Sequence, residues 1–292
     1  MADAGDRETL PTDVVIVGAG PAGLAAAIRL KQKHPDLAIT VVEKSAEIGG
    51  HILSGAVMNP VGLDELIPDW RKRGAPVGPT VTRDTFHWLT AGADIRLPDL
   101  MIPPQMRTND AVVISLGNLC RWLADEAQNL GVDIFPMTAA VDVLTGPDGA
   151  VCGIITGDLG VDANGNPKSS FARGIALEAR YTLIGEGARG SLAKQVIPTF
   201  GLAAESPQKY GLGIKEIWEI APEKHQPGRV DHYLGWPLGF DTAGGGFCYH
   251  AGANQVYLGY VTHLDYQNPT LSPFDEFGRF KSHPAIARLL EG

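Results

Sequence analysis

Cysteine is scarce: Cys120, Cys152 and Cys248 are the only three in 292 residues. An odd number at wide spacing sets out neither a disulfide framework nor a four-thiolate metal site, and it fits a reducing compartment. Long apolar runs are missing as well, since none approaches the ~20 residues that cross a bilayer. The first eleven residues are polar and acidic. They lack the apolar centre of a secretory signal and the basic, acid-poor character of a mitochondrial presequence. Positive charge is in deficit, with 24 Lys and Arg against 33 Asp and Glu, net −9. That balance argues against nucleic acid as a partner. The remaining composition, 44% hydrophobic and 20% charged, is that of a globular chain. Glycine (36) and proline (21) are plentiful, favouring tight turns and loops that meet a ligand through backbone.

The most legible element comes first. Asp13–Val17 is a short apolar run, as a buried parallel strand requires. Gly18-Ala19-Gly20-Pro21-Ala22-Gly23 follows, then a helical stretch to Lys33 and a second apolar strand, Ala38–Val42, ending at Glu43. This is a dinucleotide-binding fingerprint in its full context. Gly18 permits the tight turn, Gly20 lets backbone approach a pyrophosphate, and Gly23 allows close helix–strand packing. The helix N-terminus offers N–H groups and a positive dipole end to phosphate, and Glu43 is placed to accept hydrogen bonds from an adenosine ribose. NAD and FAD both suit the fingerprint. FAD is favoured by Ile48-Gly49-Gly50, which opens a long loop instead of a third βα unit, and by a second glycine-rich turn at Gly185-Glu186-Gly187 after the strand Tyr181–Ile184.

Further along, Leu116, Leu119, Cys120, Leu123 and Ala127 recur at helical spacing, with Ser115 as N-cap and Gly131 as stop. Val132–Phe135 reads as a parallel strand. Hairpin signals follow at Gly146–Gly149 and Asn164-Gly165. Residues 201–252 are β-rich, and Ser272-Pro273 starts a final helix that Pro284 interrupts. No catalytic triad, zinc-ligand motif or acid–base pair stands out.

The fingerprint, Glu43-Lys44 with Ile48-Gly49-Gly50, and Ile184-Gly185-Glu186-Gly187-Ala188-Arg189-Gly190-Ser191 resemble the glutathione-reductase-2 class of flavoproteins. Longer stretches resemble, more narrowly, the electron transfer flavoprotein–ubiquinone oxidoreductase family. These are His51–Ala56, Leu66–Trp70, Pro227–His232, Gly235–Leu238 and Leu264–Pro269, and the likeness runs from about Asp13 to Gly292. The resemblance implies an FAD-dependent oxidoreductase that takes electrons from reduced electron transfer flavoprotein and reduces ubiquinone at a membrane surface. Its implied location is peripheral, on the cytoplasmic face of a bacterial inner membrane or on the mitochondrial inner membrane of a eukaryote. It also implies that this chain is an N-terminal portion lacking the [4Fe–4S] domain, so its three cysteines are not cluster ligands. One departure is Ser115, where relatives tend to carry arginine near the helix start.

The expected fold class is α/β: a Rossmann-like FAD-binding domain from residues 1–79 and 108–200, and a β-rich quinone-side domain from 201–292. Residues 80–107, with Phe86, Trp88, Met101, Ile102 and three prolines, are expected to form an apolar hairpin touching the bilayer. Carried onto this sequence, the cofactor-binding residues are Val17, Gly18, Gly20, Pro21, Ala22, Gly23, Glu43, Lys44, Gly49, Gly50, His51, Ser54, Gly55, Ala139, Gly185, Glu186 and Gly187. The quinone-binding residues are Gly244, Gly245, Phe247 and Tyr249, with consecutive glycines exposing backbone N–H groups and the two aromatics sharing one strand face. A prenyl-lipid reductase or hydroxylase of the same fold, and a non-catalytic fragment, are the alternatives.

Overall fold

The computed structural model describes residues 5–53 and 55–291. The chain forms two compact units, one from the residues up to Ile52 with Gly117–Glu205, the other from Leu53–Leu116 with the residues from Ser206 onward.

The first unit is built on a six-stranded sheet in the order Asp133–Phe135, Ile39–Val42, Thr9–Val17, Ala176–Ile184, Val151–Thr156, Ala140–Thr145. The first four strands run parallel, and Val151–Thr156 is antiparallel to both of its neighbours. Val14–Val17 and Ile39–Val42 are buried throughout, as strands covered on both faces must be. The helix Pro21–Lys33 buries Leu24, Ala27 and Ile28. Lys31 then caps its end, with Nζ donating to the carbonyls of Pro35 and Leu37. The helix Leu116–Asn129 ends at Gly131, whose φ of +84° is one that glycine adopts without penalty. Register places the site. Val17 pairs with both Val42 and Ile184, so Gly18, Glu43 and Gly185 leave the sheet at the same edge.

The second unit carries a six-stranded sheet in the order Gly211–Glu219, Gln255–His263, Gly244–His250, Arg229–Gly235, Arg83–Leu89, Asp94–Arg96. Helices Pro273–Ser282 and Pro284–Leu290 cover one face, where Phe277, Phe280 and Ile286 pack with Leu89, Tyr233, Cys248, Leu258 and Tyr260. Ser272 caps the first of these helices, its Oγ accepting from Asp275 N at 3.3 Å. A three-stranded sheet, Ala56–Met58, Val112–Ile114 and Val77–Thr80, contributes Val57, Val113 and the neighbouring Val81 to a core shared with Val230, Tyr249 and Tyr257.

Two expectations need correction. Residues 53–79 and 108–116 belong to the second unit, because the 112–114 strand pairs with 56–58 and 77–80 and their side chains share the core around Val230. Residues 80–107 are no separate hairpin either. Arg83–Leu89 pairs in parallel with Arg229–Gly235 along its whole length and lies inside the sheet, burying Phe86 and Leu89. Ile102 is only 8% exposed and Trp88 stacks on Phe240 at 5.6 Å, so of Phe86, Trp88, Met101 and Ile102 only Met101 is exposed, although Leu100 in the same segment is exposed too.

Candidate functional site

In the first unit the glycine loop is held by its neighbours. Gly18 N donates to Val42 O at 2.8 Å, and Gly185 N donates to Val17 O at 2.8 Å. Gly18 has φ +103°, and a Cβ there would lie 2.6 Å from Gly185 O. A Cβ on Gly23 would lie 2.0 Å from Gly18 O. Neither position has room for a side chain. Gly20 is different: a Cβ would meet nothing within 4 Å. It is the N-cap of the 21–33 helix, which starts with Pro21 and Ala22 and has neither a side-chain cap nor an acidic residue in its first turn. The first turn of the helix therefore faces open space with neither a side-chain cap nor an acidic residue of its own.

Glu43 stands beside this opening. Its carboxylate accepts from Ala19 N at 3.0 Å and Ser45 N at 2.8 Å, which fixes its orientation and leaves lone pairs for ligand hydroxyls. Gly49, with φ +77°, presses on the 116–129 helix, a Cβ there falling 2.6 Å from Gly117 O. Lys44, Gly50, His51, Ala139 and Gly187 are exposed. Glu186 turns to its own chain, accepting from Leu192 N at 3.3 Å and Ala193 N at 2.9 Å, so it holds the loop after the 176–184 strand. Ser54 lies outside the described residues. Gly55 belongs to the second unit, packed against the Tyr257 ring, with its carbonyl accepting from Lys215 Nζ at 2.6 Å. The structure thus gathers Val17, Gly18, Gly20, Glu43 and Gly185 at one sheet edge. An open cradle, an uncapped helix and a fixed carboxylate fit the pyrophosphate and ribose of a dinucleotide.

In the second unit Phe247 and Tyr249 stack at 4.5 Å with an 18° interplanar angle. The two rings lie on one strand face, with Phe247 only 8% exposed. The adjacent glycines serve the sheet itself. A Cβ on Gly244 would lie 2.2 Å from Val261 O, and one on Gly245 would lie 2.5 Å from Tyr233 O. Leucine at either position would separate the strands, so neither substitution is a clean probe of ligand binding.

Three side chains that no local motif singled out share this face. His232 pairs across the hairpin with Phe247, stacks on Phe86 at 4.5 Å, and meets Tyr249 edge-on at 5.9 Å. Its Nε2 lies 3.4 Å from Asp84 Oδ1. Burial pushes the Asp84 carboxyl up, and contacts with His232 and with the Thr108 N–H and hydroxyl outweigh it, leaving Asp84 below the usual carboxylate range. Lys215 Nζ sits 5.4 Å from the Phe247 ring centroid, and burial lowers its pKa. Cys248 faces the opposite side, fully buried, with its thiol pushed up by burial. The missed signal was register: His232 and Phe247 become neighbours only when strands 229–235 and 244–250 pair.

Residues 210–292 match the family model described as "ETF-QO, ubiquinone-binding", and residues 7–61 match the Thi4 family. Among curated relatives, electron transfer flavoprotein–ubiquinone oxidoreductase of Pseudomonas aeruginosa is 51% identical over 98% of this chain and 53% of that protein. The mitochondrial proteins of Dictyostelium discoideum and Bos taurus are 50% and 49% identical, each over 98% of this chain and 48% of theirs. The chain thus spans about half the length of the curated relatives it matches. Among solved structures, a geranylgeranyl bacteriochlorophyll reductase-like protein from Thermoplasma acidophilum superposes with TM-score 0.68 at 17% identity, over 96% of this chain and 64% of that one. The myxobacterial chondrochloren halogenase CndH gives 0.64 at 14% identity, over 96% and 59%. These structures share the fold. With about 50% identity along nearly its whole length, the chain is similar to about half of the electron transfer flavoprotein–ubiquinone oxidoreductases.

Proposed function

We propose that this chain is the flavin- and quinone-binding half of an electron transfer flavoprotein–ubiquinone oxidoreductase. FAD, when bound, supplies the redox chemistry, taking electrons from reduced electron transfer flavoprotein and passing two to ubiquinone. The chain's own residues bind and orient. Gly18–Gly23 and the helix N-terminus hold the pyrophosphate, and Glu43 holds the adenosine ribose. Backbone at Gly49-Gly50 and Gly185–Gly187 completes the cradle. The quinone headgroup, flat and largely apolar, lies against Phe247 and Tyr249. Among the described residues no group of three His, Cys, Asp or Glu side chains is arranged to hold a metal ion. The proposal therefore places no part of the family's [4Fe–4S] cluster on them.

Membrane association belongs to the same reading. No helix among the described residues is long and apolar enough to cross a bilayer. The second unit does expose Ile95, Leu100, Met101, Met106 and Phe240, with Leu100 and Phe240 at 95% and 96%. Side chains of this kind gain free energy by entering one leaflet.

The observation that carries the reading is the glycine loop whose Gly20 faces open space, in a chain about 50% identical to these oxidoreductases over 98% of its length. The test mixes the full-length protein with reduced electron transfer flavoprotein, then with a short-chain ubiquinone. The bound flavin should bleach and then reoxidise. Bleaching by NADPH with no response to electron transfer flavoprotein would support the prenyl-lipid reductase or hydroxylase reading instead.

A further inference from the structure

We propose that His232 delivers a proton to the quinone as it is reduced, and that the Asp84 carboxylate positions His232 and holds its charged form. The inference rests on the quinone reading above and deepens it. Reduction of a quinone to its quinol adds two electrons, here from a reduced flavin, and two protons, one to each carbonyl oxygen. Electrons reach a buried ring without a protein carrier at every step, whereas protons need a chain of donors. The stacked aromatic pair itself offers only Tyr249 as a titratable group, and burial raises its pKa out of the useful range.

His232 is placed for the task. It shares the sheet face with Phe247, its pairing partner on the next strand, and its ring is stacked on Phe86. Its side chain is 21% exposed. Nε2 faces Asp84 Oδ1 at 3.4 Å, and both atoms are buried with no hydrogen-bond partner among the described residues. With Nε2 turned to Asp84, the proposal assigns the donated proton to Nδ1. Asp84 is reached from the other side. With Phe86 and Ile102 it lines a cavity of about 90 Å³ whose remaining wall is Asp99, Arg107 and Asn109. Those three are exposed, so the cavity opens to solvent and has room for water. Asp84 Oδ2 is fixed by Thr108 N at 2.7 Å and Thr108 Oγ1 at 2.8 Å, which leaves Oδ1 to face the imidazole. The transfer runs from His232 Nδ1 to a quinone oxygen, with the hydrated Asp84 carboxylate holding the opposite nitrogen. The charged and titratable groups around it are Asp84 on its own sheet, Tyr249 beside the ring, Lys215 beyond Phe247, and Asp99 with Arg107 at the cavity rim.

In the step, the Nδ1–H bond breaks and an O–H bond forms on the reduced quinone. The imidazole is left neutral, with its remaining proton on Nε2 toward the Asp84 carboxylate, and Nδ1 takes its next proton from water once the quinol has left. A positioned general acid of this kind contributes about 10²–10⁴-fold.

The experiment compares wild type, His232→Gln and Asp84→Asn in the full-length flavoprotein. Each is reduced and then reoxidised either by a soluble short-chain ubiquinone or by ferricyanide, which takes electrons without protons. Both variants should lose about 100-fold or more in the limiting rate with quinone, with little change in the quinone concentration for half-maximal rate, and should react normally with ferricyanide. The wild-type quinone rate should fall as pH rises and the donor loses its proton, and His232→Gln should flatten that limb. Added imidazole should restore part of the rate to His232→Ala. Melting temperature and flavin spectrum should match wild type in at least one of the two main variants. Equal quinone rates and pH profiles in wild type and His232→Gln would overturn the proposal. So would an equal loss with ferricyanide. Failure of wild type itself to reduce quinone would overturn the functional reading beneath it.

Discussion

Gly20→Ala tests the nucleotide cradle without confusing ligand with scaffold. The backbone there has φ −81° and ψ −179°, which alanine adopts freely. The added Cβ has no protein atom within 4 Å. Removing a glycine from the unfolded ensemble at a compatible position stabilises by about 0.4–1 kcal/mol. That corresponds to a rise of roughly 1–4 °C in melting temperature. The flavin responds oppositely. A methyl group in the space reserved for pyrophosphate pushes the anion away from the helix N-terminus and weakens a charge-assisted hydrogen bond, about 1.5–3 kcal/mol. FAD affinity should fall about 10- to 150-fold, read by titrating apoprotein with FAD and following fluorescence quenching. Gly23→Ala is the contrast, because its Cβ falls 2.0 Å from Gly18 O and the loop itself must move. That variant should lose about 1–3 kcal/mol of stability before any ligand is added. If Gly20→Ala were folded and bound FAD as wild type does, the open space at Gly20 would not be the seat of the pyrophosphate.

Glu43→Ala removes a ribose acceptor and also strands the Ala19 and Ser45 N–H groups, so both flavin affinity and melting temperature should fall, the first by about 1.5–3 kcal/mol in an isothermal titration. His250 is fully buried, and burial with Arg229 nearby holds its pKa down to about 4. A depressed histidine is neutral when folded, and the unfolded chain takes up the proton near its ordinary 6.5. Its contribution is full above pH 6.5 and is lost as pH falls towards 4, up to roughly 3 kcal/mol. His250→Asn retains an acceptor for Gln226 N and should flatten the acid limb of urea midpoints measured between pH 7 and 4.5; an unchanged slope would exclude His250 as its source. Replacing Leu100, Met101 and Phe240 with serine should release the protein from anionic liposomes in a flotation assay, with far-UV circular dichroism unchanged.

The first unit was the more legible. Its signals are local: Asp13–Val17, the glycine loop, the helix and Glu43 lie in one continuous stretch. The hairpin at Gly146–Gly149 closes as expected, with Gly146 N donating to Ala150 O at 2.9 Å. The second unit depends on partners far apart in sequence. Arg83–Leu89 becomes an interior strand only by pairing with Arg229–Gly235. Periodicity within 80–107 cannot show this, and its prolines and large apolar residues then suggest an apolar hairpin touching the bilayer. Ile102 shows how much that matters, since the same side chain reads as lipid-facing in sequence and is buried in the fold. His232 lay inside a recognisable stretch, yet its neighbours Phe86 and Phe247 come from two other strands.

The glycines divide the molecule more sharply than any other residue type, and the division is physical. At Gly18, Gly23, Gly244 and Gly245 an added carbon would strike a backbone carbonyl at 2.0–2.6 Å, so the residue is required by close approach of chain to chain. At Gly20 the same addition meets open space, although the position sits between two of those crowded glycines in one short loop. Close packing explains the first group completely and predicts that substitution there costs stability whatever the ligand. It explains nothing about Gly20, where the neighbouring helix starts uncapped and a fixed carboxylate stands alongside. A glycine that the protein does not need for its own packing, at the positive end of a helix, is most simply accounted for by a bound anion. The same reasoning shifts weight within the second unit. There the glycine run builds the sheet, and the proposed quinone contact rests on the side chains that share one of its faces: Phe247, Tyr249, His232 and Asp84.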